Sequence, residues 1–374
     1  ANTFRVWDTT RGEPIMTIEA FAAAGSSAGA IAGTKDVAFS PDDRSLVTVS
    51  ATAVKRWHVT RAPLLDVIQV DFGLYAARWS PDGTRLAIVG FGATLQERDR
   101  RIVFEAARDD APWYAVDWSP DGTTMVMAGR KGAWIVAPTG AVLRSLAVPP
   151  GTVNGAAYSP AGDRIVTASA DAARVWDART GTLLTTLPHP ERVMAAAWSG
   201  DGQLLATAGW DRVVRIWEAA TGRLLRSFDG ATTQFLSVSF SPDGAILASG
   251  GHDGEVSLWR VRTGERLVSL EGHTGPITAV AWSPDGALLA TTGDDQTTRL
   301  WEPRTGRQLA RYATGETMDA SWNRAGTQLV TVSHHGLIRT WSVARDARPA
   351  AEIAAFAAAR SPWRLVGTRL VRAW

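Results

Sequence analysis

The chain has 374 residues, 45% of them hydrophobic, and 39 basic against 37 acidic side chains leave a net charge of only +2. Cysteine is absent, which excludes disulfides, thiolate metal sites and thiol nucleophiles together. No apolar run is long enough to cross a membrane as a helix, no signal-peptide pattern opens the chain, and no long Lys/Arg run offers a nucleic-acid footprint. The expectation is a cytoplasmic chain without membrane or nucleic-acid partners. Lysine occurs only at Lys35, Lys55 and Lys131, and the bias to arginine and alanine suggests a GC-rich bacterial genome.

In chain order, residues 3–7 and 14–18 read as strands, and the small, flexible run at 22–33 reads as a surface loop. From there a turn begins at Ser40, Ser80, Ser119, Ser159, Ser199, Ser241, Ser283 and Asn323, the fifth and the last of them without the proline. The intervals are 40, 39, 40, 40, 42, 42 and 40 residues. In its full form, at 283–286, the turn is Ser-Pro-Asp-Gly: proline presets φ at the second position, and aspartate and glycine suit the next two. Strand-end tryptophans keep the same beat at Trp57, Trp176, Trp217, Trp259, Trp301 and Trp341. Each period holds four short runs of β-formers separated by turns. Repeats one to three are degenerate. Asp43 replaces the turn glycine, Arg98 stands where a strand-end tryptophan is expected, and Trp134 is displaced towards the start of its strand.

The turns, the Trp-Asp and Trp-Glu pairs at 7–8, 176–177, 217–218 and 301–302, and the Gly272-His273 dipeptide resemble the WD-repeat β-propeller family over nearly the whole chain. That resemblance implies an all-β ring of four-stranded antiparallel blades. It also implies structural polar clusters of histidine, hydroxyl, aspartate and tryptophan. The matching sets are His189, Thr207, Asp211 and Trp217, and His273, Thr291, Asp295 and Trp301.

Ring closure ordinarily joins strands from both termini. Eight full repeats and a shortened repeat at 349–374 then predict nine blades, with eight as the alternative, in a single domain of residues 1–374. Residues 350–360 also have helix-forming composition, so a helix plus hairpin is the competing reading of the tail.

No phosphate-binding glycine loop, catalytic constellation or metal set stands out, and no cofactor is expected. In the resembled family the turns between second and third strands face partners. Here those positions are Phe91, Arg130, Ala170, Trp210, His252, Asp294 and His334. Exposed aromatic, arginine and histidine side chains suit an interface. The implied function is a non-catalytic protein- or peptide-binding scaffold, part of a larger bacterial protein or complex. The alternative is a propeller that binds a small molecule in its channel, with or without hydrolysis. Polar residues on the innermost strands (Asp36, Asp117, Asn154, Asp319) would make such a channel weakly acidic.

Overall fold

The computed structural model describes residues 3–8, 13–19, 34–39, 45–50, 54–58, 64–69, 73–97, 102–106, 112–228, 233–335, 337–343, 363–366 and 369–372. It divides into two compact units, one of Ala1–Pro63, Leu309–Arg311 and Ser342–Trp374, the other of Leu64–Gln308 and Tyr312–Trp341.

The larger unit is a ring of seven four-stranded antiparallel blades. Their innermost strands are Leu74–Trp79, Trp113–Trp118, Val153–Tyr158, Val193–Trp198, Phe235–Phe240, Ile277–Trp282 and Thr317–Trp322, which number blades 1 to 7 here. Each innermost strand packs against those of its two neighbours, and the seventh packs against the first.

Seven corrects the expectation of nine or eight blades, and closure by the chain termini is corrected with it. Blade 7 is completed by Leu64–Gln69, which pairs with Leu337–Ser342 in the register Leu337↔Gln69 to Trp341↔Leu64. The repeat begun at Thr34–Phe39 is therefore not one of these seven blades: with Ser45–Ser50 and Val54–His58 it makes a three-stranded sheet. Thr3–Asp8 with Glu13–Glu19, and Trp363–Val366 with Arg369–Arg372, form separate two-stranded sheets. Outer strands are near-equivalent in sequence: Leu-Leu-Asp-Val-Ile at 64–68 reads like Leu-Leu-Arg-Ser-Phe at 224–228. Local pattern therefore does not say which third strand such a segment will join. The loop at 22–33 and the tail at 349–360 lie outside the described residues.

Blades 1 to 6 are built from the same local chemistry. In blade 6 the Gly286 N–H donates to the Ser283 carbonyl (2.8 Å), and Gly286 takes φ +68°, a conformation that favours glycine. The Ser283 hydroxyl donates to Asp285 (2.7 Å) and accepts from the Leu288 N–H (2.9 Å). Equivalent turns occur at Ser80, Ser119, Ser199 and Ser241. In blade 3, Asp163 supplies the carboxylate to Ser159 instead.

The core lies between neighbouring sheets. Val166, Val175 and Leu187 of blade 3, for example, pack with Val193, Leu205 and Trp217 of blade 4. Leu74 and Ile88 pack with Val330, Val332 and Ile338 across the seam where the ring closes. A second aromatic ladder ties blades together: the indoles of Trp118, Trp198, Trp282 and Trp322 each donate to a carbonyl of the preceding blade at 3.1–3.2 Å.

Register also settles the degenerate repeats. Trp217 opposes Leu205 in blade 4, and the corresponding residues are Val136 opposite Met125 in blade 2 and Gln96 opposite Leu86 in blade 1. Gln96, not Arg98, thus holds the tryptophan place of blade 1. Trp134 is displaced by two residues and keeps its face, packing edge-on against Trp113 with ring centroids 5.0 Å apart.

Candidate functional site

The two polar clusters form within single blades. In blade 6 the Trp301 indole donates to Thr291 Oγ1 (2.7 Å), Thr291 Oγ1 lies 2.8 Å from His273 Nε2, and His273 Nδ1 lies 2.9 Å from Asp295 Oδ1. The carboxylate can only accept, so Nδ1 carries the proton and Nε2 receives the threonine hydroxyl. Blade 4 repeats this with Trp217, Thr207, His189 and Asp211 at 2.7, 2.8 and 3.3 Å. Burial, with the nearby Arg215 charge, lowers the His189 pKa, favouring the neutral ring. Burial alone would raise Asp295, but hydrogen bonds from Thr297, His273 and the Thr274 N–H outweigh it and hold that carboxyl at about 2.

Arginine is a further member that the sequence reading missed. Arg215 contacts Asp211 and His189, and Arg299 contacts Asp295. In blade 3, which lacks the histidine, Arg174 binds both Asp171 (2.6 Å) and Ser169 (2.9 Å). The signal was present as Arg-x-Trp at 174–176, 215–217 and 299–301.

The rim positions share one backbone geometry. The N–H groups of Phe91, Arg130, Trp210, His252, Asp294 and His334 each donate, at 2.8–3.0 Å, to the carbonyl just before the innermost strand of their own blade. A glycine precedes five of the six. At Gly90, Gly129 and Gly209 a Cβ would come within 1.9–2.4 Å of the carbonyl that accepts this bond, so only glycine fits there. Arg212, Gly254 and Gln296 take positive φ at the matching turn position in blades 4 to 6.

Two of these rim residues are brought together. Phe91 is 45% exposed, and its ring lies 6.5 Å from that of His334, with Tyr75 close to both at 5.8 and 5.6 Å. Tyr114 packs edge-on against Tyr75 at 4.9 Å. The seam between blades 7 and 1 causes this convergence, because the Leu74 N–H donates to the His334 carbonyl (3.3 Å). His335, next in the chain, lies 3.4 Å from Glu316. Tyr75 and Tyr114 were not picked out from sequence, though each is the second residue of an innermost strand and so faces the channel mouth.

Trp210 stands apart in blade 4, 39% exposed, with the Arg192 guanidinium 4.9 Å above its ring. Arg130, His252, Asp294 and Ala170 are exposed in their own turns. Burial and the neighbouring Glu316 raise the Asp294 pKa, while His252 opposes them.

Below the mouth the innermost strands enclose a channel of about 670 Å³. Of the polar residues anticipated there, Asp319 pairs with Arg78 and also accepts the N–H groups of Ala77 and Ala320. Asp117 accepts the Tyr158 N–H (2.8 Å). Burial pushes the Asp117 carboxyl up to about 6, although the Tyr158 N–H and the Arg78 charge pull it down. Asn154 donates to the Val193 carbonyl (2.7 Å). The side chain of Asp36 lies outside the described residues. Arg78 was missed from sequence, though a charge beside the inner tryptophan marks it. Among the described residues, no group of three or more His, Cys, Asp or Glu side chains could hold a metal ion.

Residues 140–177, 181–218, 222–260 and 264–302 match the WD40 family, described as WD domain, G-beta repeat. These four stretches are WD repeats. A segment of this chain is similar to Protein Notchless of Drosophila melanogaster, at 39% identity over 69 residues. The chain is also similar to a guanine nucleotide-binding protein subunit beta of Schizosaccharomyces pombe, at 32% over 69 residues, and to the periodic tryptophan protein 2 homolog of the same organism, at 37% over 65. These matches cover 18, 18 and 17% of the chain and only 14, 23 and 8% of the respective relatives.

Proposed function

We propose that this propeller is a non-catalytic scaffold that binds a protein or peptide across the rim formed by its second-to-third-strand turns. The observation that carries the reading is the convergence of Phe91, Tyr75 and His334 at the seam, with Tyr114 beside them. Half-exposed aromatic rings held by a rigid sheet contribute contact area at little cost in conformational entropy, which is the usual composition of an interface hot spot. The repeat family and the G-protein beta subunit among the similar proteins support a protein partner.

Affinity capture with the full chain, Phe91→Ala and Trp210→Ala tests this. Loss of a partner by about thirtyfold in affinity, roughly 2 kcal/mol, with unchanged thermal unfolding, is the expected result. A partner set identical for all three chains would refute it.

The channel supports a second reading, a small-molecule site, because it offers about 670 Å³ and a carboxyl, Asp117, with a pKa near neutrality. Mass spectrometry of material released on denaturing the purified protein distinguishes the two. A stoichiometric small molecule, together with partners indifferent to Phe91→Ala, would favour the channel.

A further inference from the structure

Blade 5 departs from its neighbours at one position with a consequence for its surface. The strand-end tryptophan is followed by an acid in blades 3, 4 and 6, at Asp177, Glu218 and Glu302, but by Arg260 in blade 5. The local ion pair survives with its polarity inverted. Glu218 pairs with Arg223 (3.3 Å) and Glu302 with Arg307 (3.7 Å), whereas Arg260 pairs with Glu265 (3.1 Å). The inversion places a guanidinium on a groove of about 610 Å³ between blades 4 and 5, beside the Ser-Pro-Asp-Gly turn of blade 5.

The groove floor is apolar, formed by Leu204, Leu225 and Val261, where the core between these two blades meets solvent. Its walls carry Arg226 and Arg262 as well as Arg260, all three exposed. Among the described residues neither Arg226 nor Arg262 has a carboxylate partner. Nearby acids are already engaged: Glu265 holds Arg260, and Asp243 accepts the Ser241 hydroxyl and the Ala245 N–H. An apolar trough walled by two guanidinium groups without a carboxylate partner, Arg226 and Arg262, complements one kind of occupant.

We propose that this groove binds an acidic segment of a partner protein. An apolar side chain of that segment rests on Leu204, Leu225 and Val261, and flanking carboxylates meet Arg226 and Arg262. Guanidinium–carboxylate contacts can be bidentate, which fixes register as well as sign. The site is separate from the aromatic rim, so one propeller can hold two partners, or two parts of one.

The test is selection of displayed random peptides on the full chain, with counter-selection on the Arg226→Glu/Arg262→Glu variant. The expected yield is sequences with acidic residues flanking an apolar one. The best of these, made synthetically, should lose about tenfold or more in affinity on the double variant and weaken with salt, yet bind Phe91→Ala as it binds the parent chain. Because charge reversal could disturb folding, Arg226→Ala/Arg262→Ala is measured alongside and should lose affinity in the same direction. Failure to enrich any sequence, a neutral or basic consensus, or equal affinity on the alanine pair would overturn the proposal.

Discussion

Arg78 and Asp319 lie 241 residues apart in sequence and form an ion pair that joins the first blade to the last. Asp319 has a relative side-chain exposure of only 9% and also accepts the N–H of Ala77, so this contact fastens the innermost strands of the two blades to each other at the closing seam. Removing one partner would strand a buried charge. Arg78→Ala should therefore destabilise the protein by about 3–5 kcal/mol in urea unfolding, and Arg78→Ala/Asp319→Ala should recover much of that loss. A double variant as unstable as the single would show that the pair acts through packing.

Asp117 imposes the opposite kind of pH dependence from most paired acids. Its carboxyl is raised from 3.8 to about 6, so the native state binds a proton more tightly than the unfolded chain does. Stability contributed at this site falls as pH rises through that window, and the deficit is complete above about pH 6. Asp117→Asn keeps an acceptor for the Tyr158 N–H without the charge. It should stabilise the protein at pH 7 by roughly 1–3 kcal/mol, with the gain vanishing near pH 4. Unfolding midpoints of both chains across that pH range provide the check.

Asp295 works in the other direction. Held at about 2, below the ordinary 3.8, it contributes stability that is present above about pH 4 and is lost as pH falls through 2. Asp295→Asn should cost about 2 kcal/mol at neutral pH and almost nothing at pH 2. A constant difference at all pH values would mean that shape rather than charge is what His273 and Thr297 recognise.

Blade 7 depends on Leu64–Gln69 for its outermost strand. A chain shortened to begin at Gly73 should expose the edge of Leu337–Ser342, unfold at lower urea and aggregate, because a free strand edge invites pairing with other chains. Adding a peptide spanning residues 61–72 should restore the midpoint. If the shortened chain is as stable and monodisperse as the parent, closure by this strand is wrong.

The repeat and its strands could be read from sequence because their causes are local. A serine hydroxyl reaching two and five residues ahead, a glycine at positive φ and a tryptophan ten residues from its threonine lie within one repeat, so spacing alone reveals them. The turn geometry of Phe91, Arg130, Trp210, His252, Asp294 and His334 has a local cause as well, since each is held by a hydrogen bond within its own blade. Blade number was not. Several outer segments have interchangeable sequences, and the choice of Leu64–Gln69 as the partner of Leu337–Ser342 is a long-range pairing that no local preference encodes. The convergence of Tyr75, Phe91 and His334, and the pairing of Arg78 with Asp319, exist only because the ring brings its first and last blades side by side. Composition and period determined what one blade is; burial and strand pairing across the whole ring decided how many there are and which side chains meet.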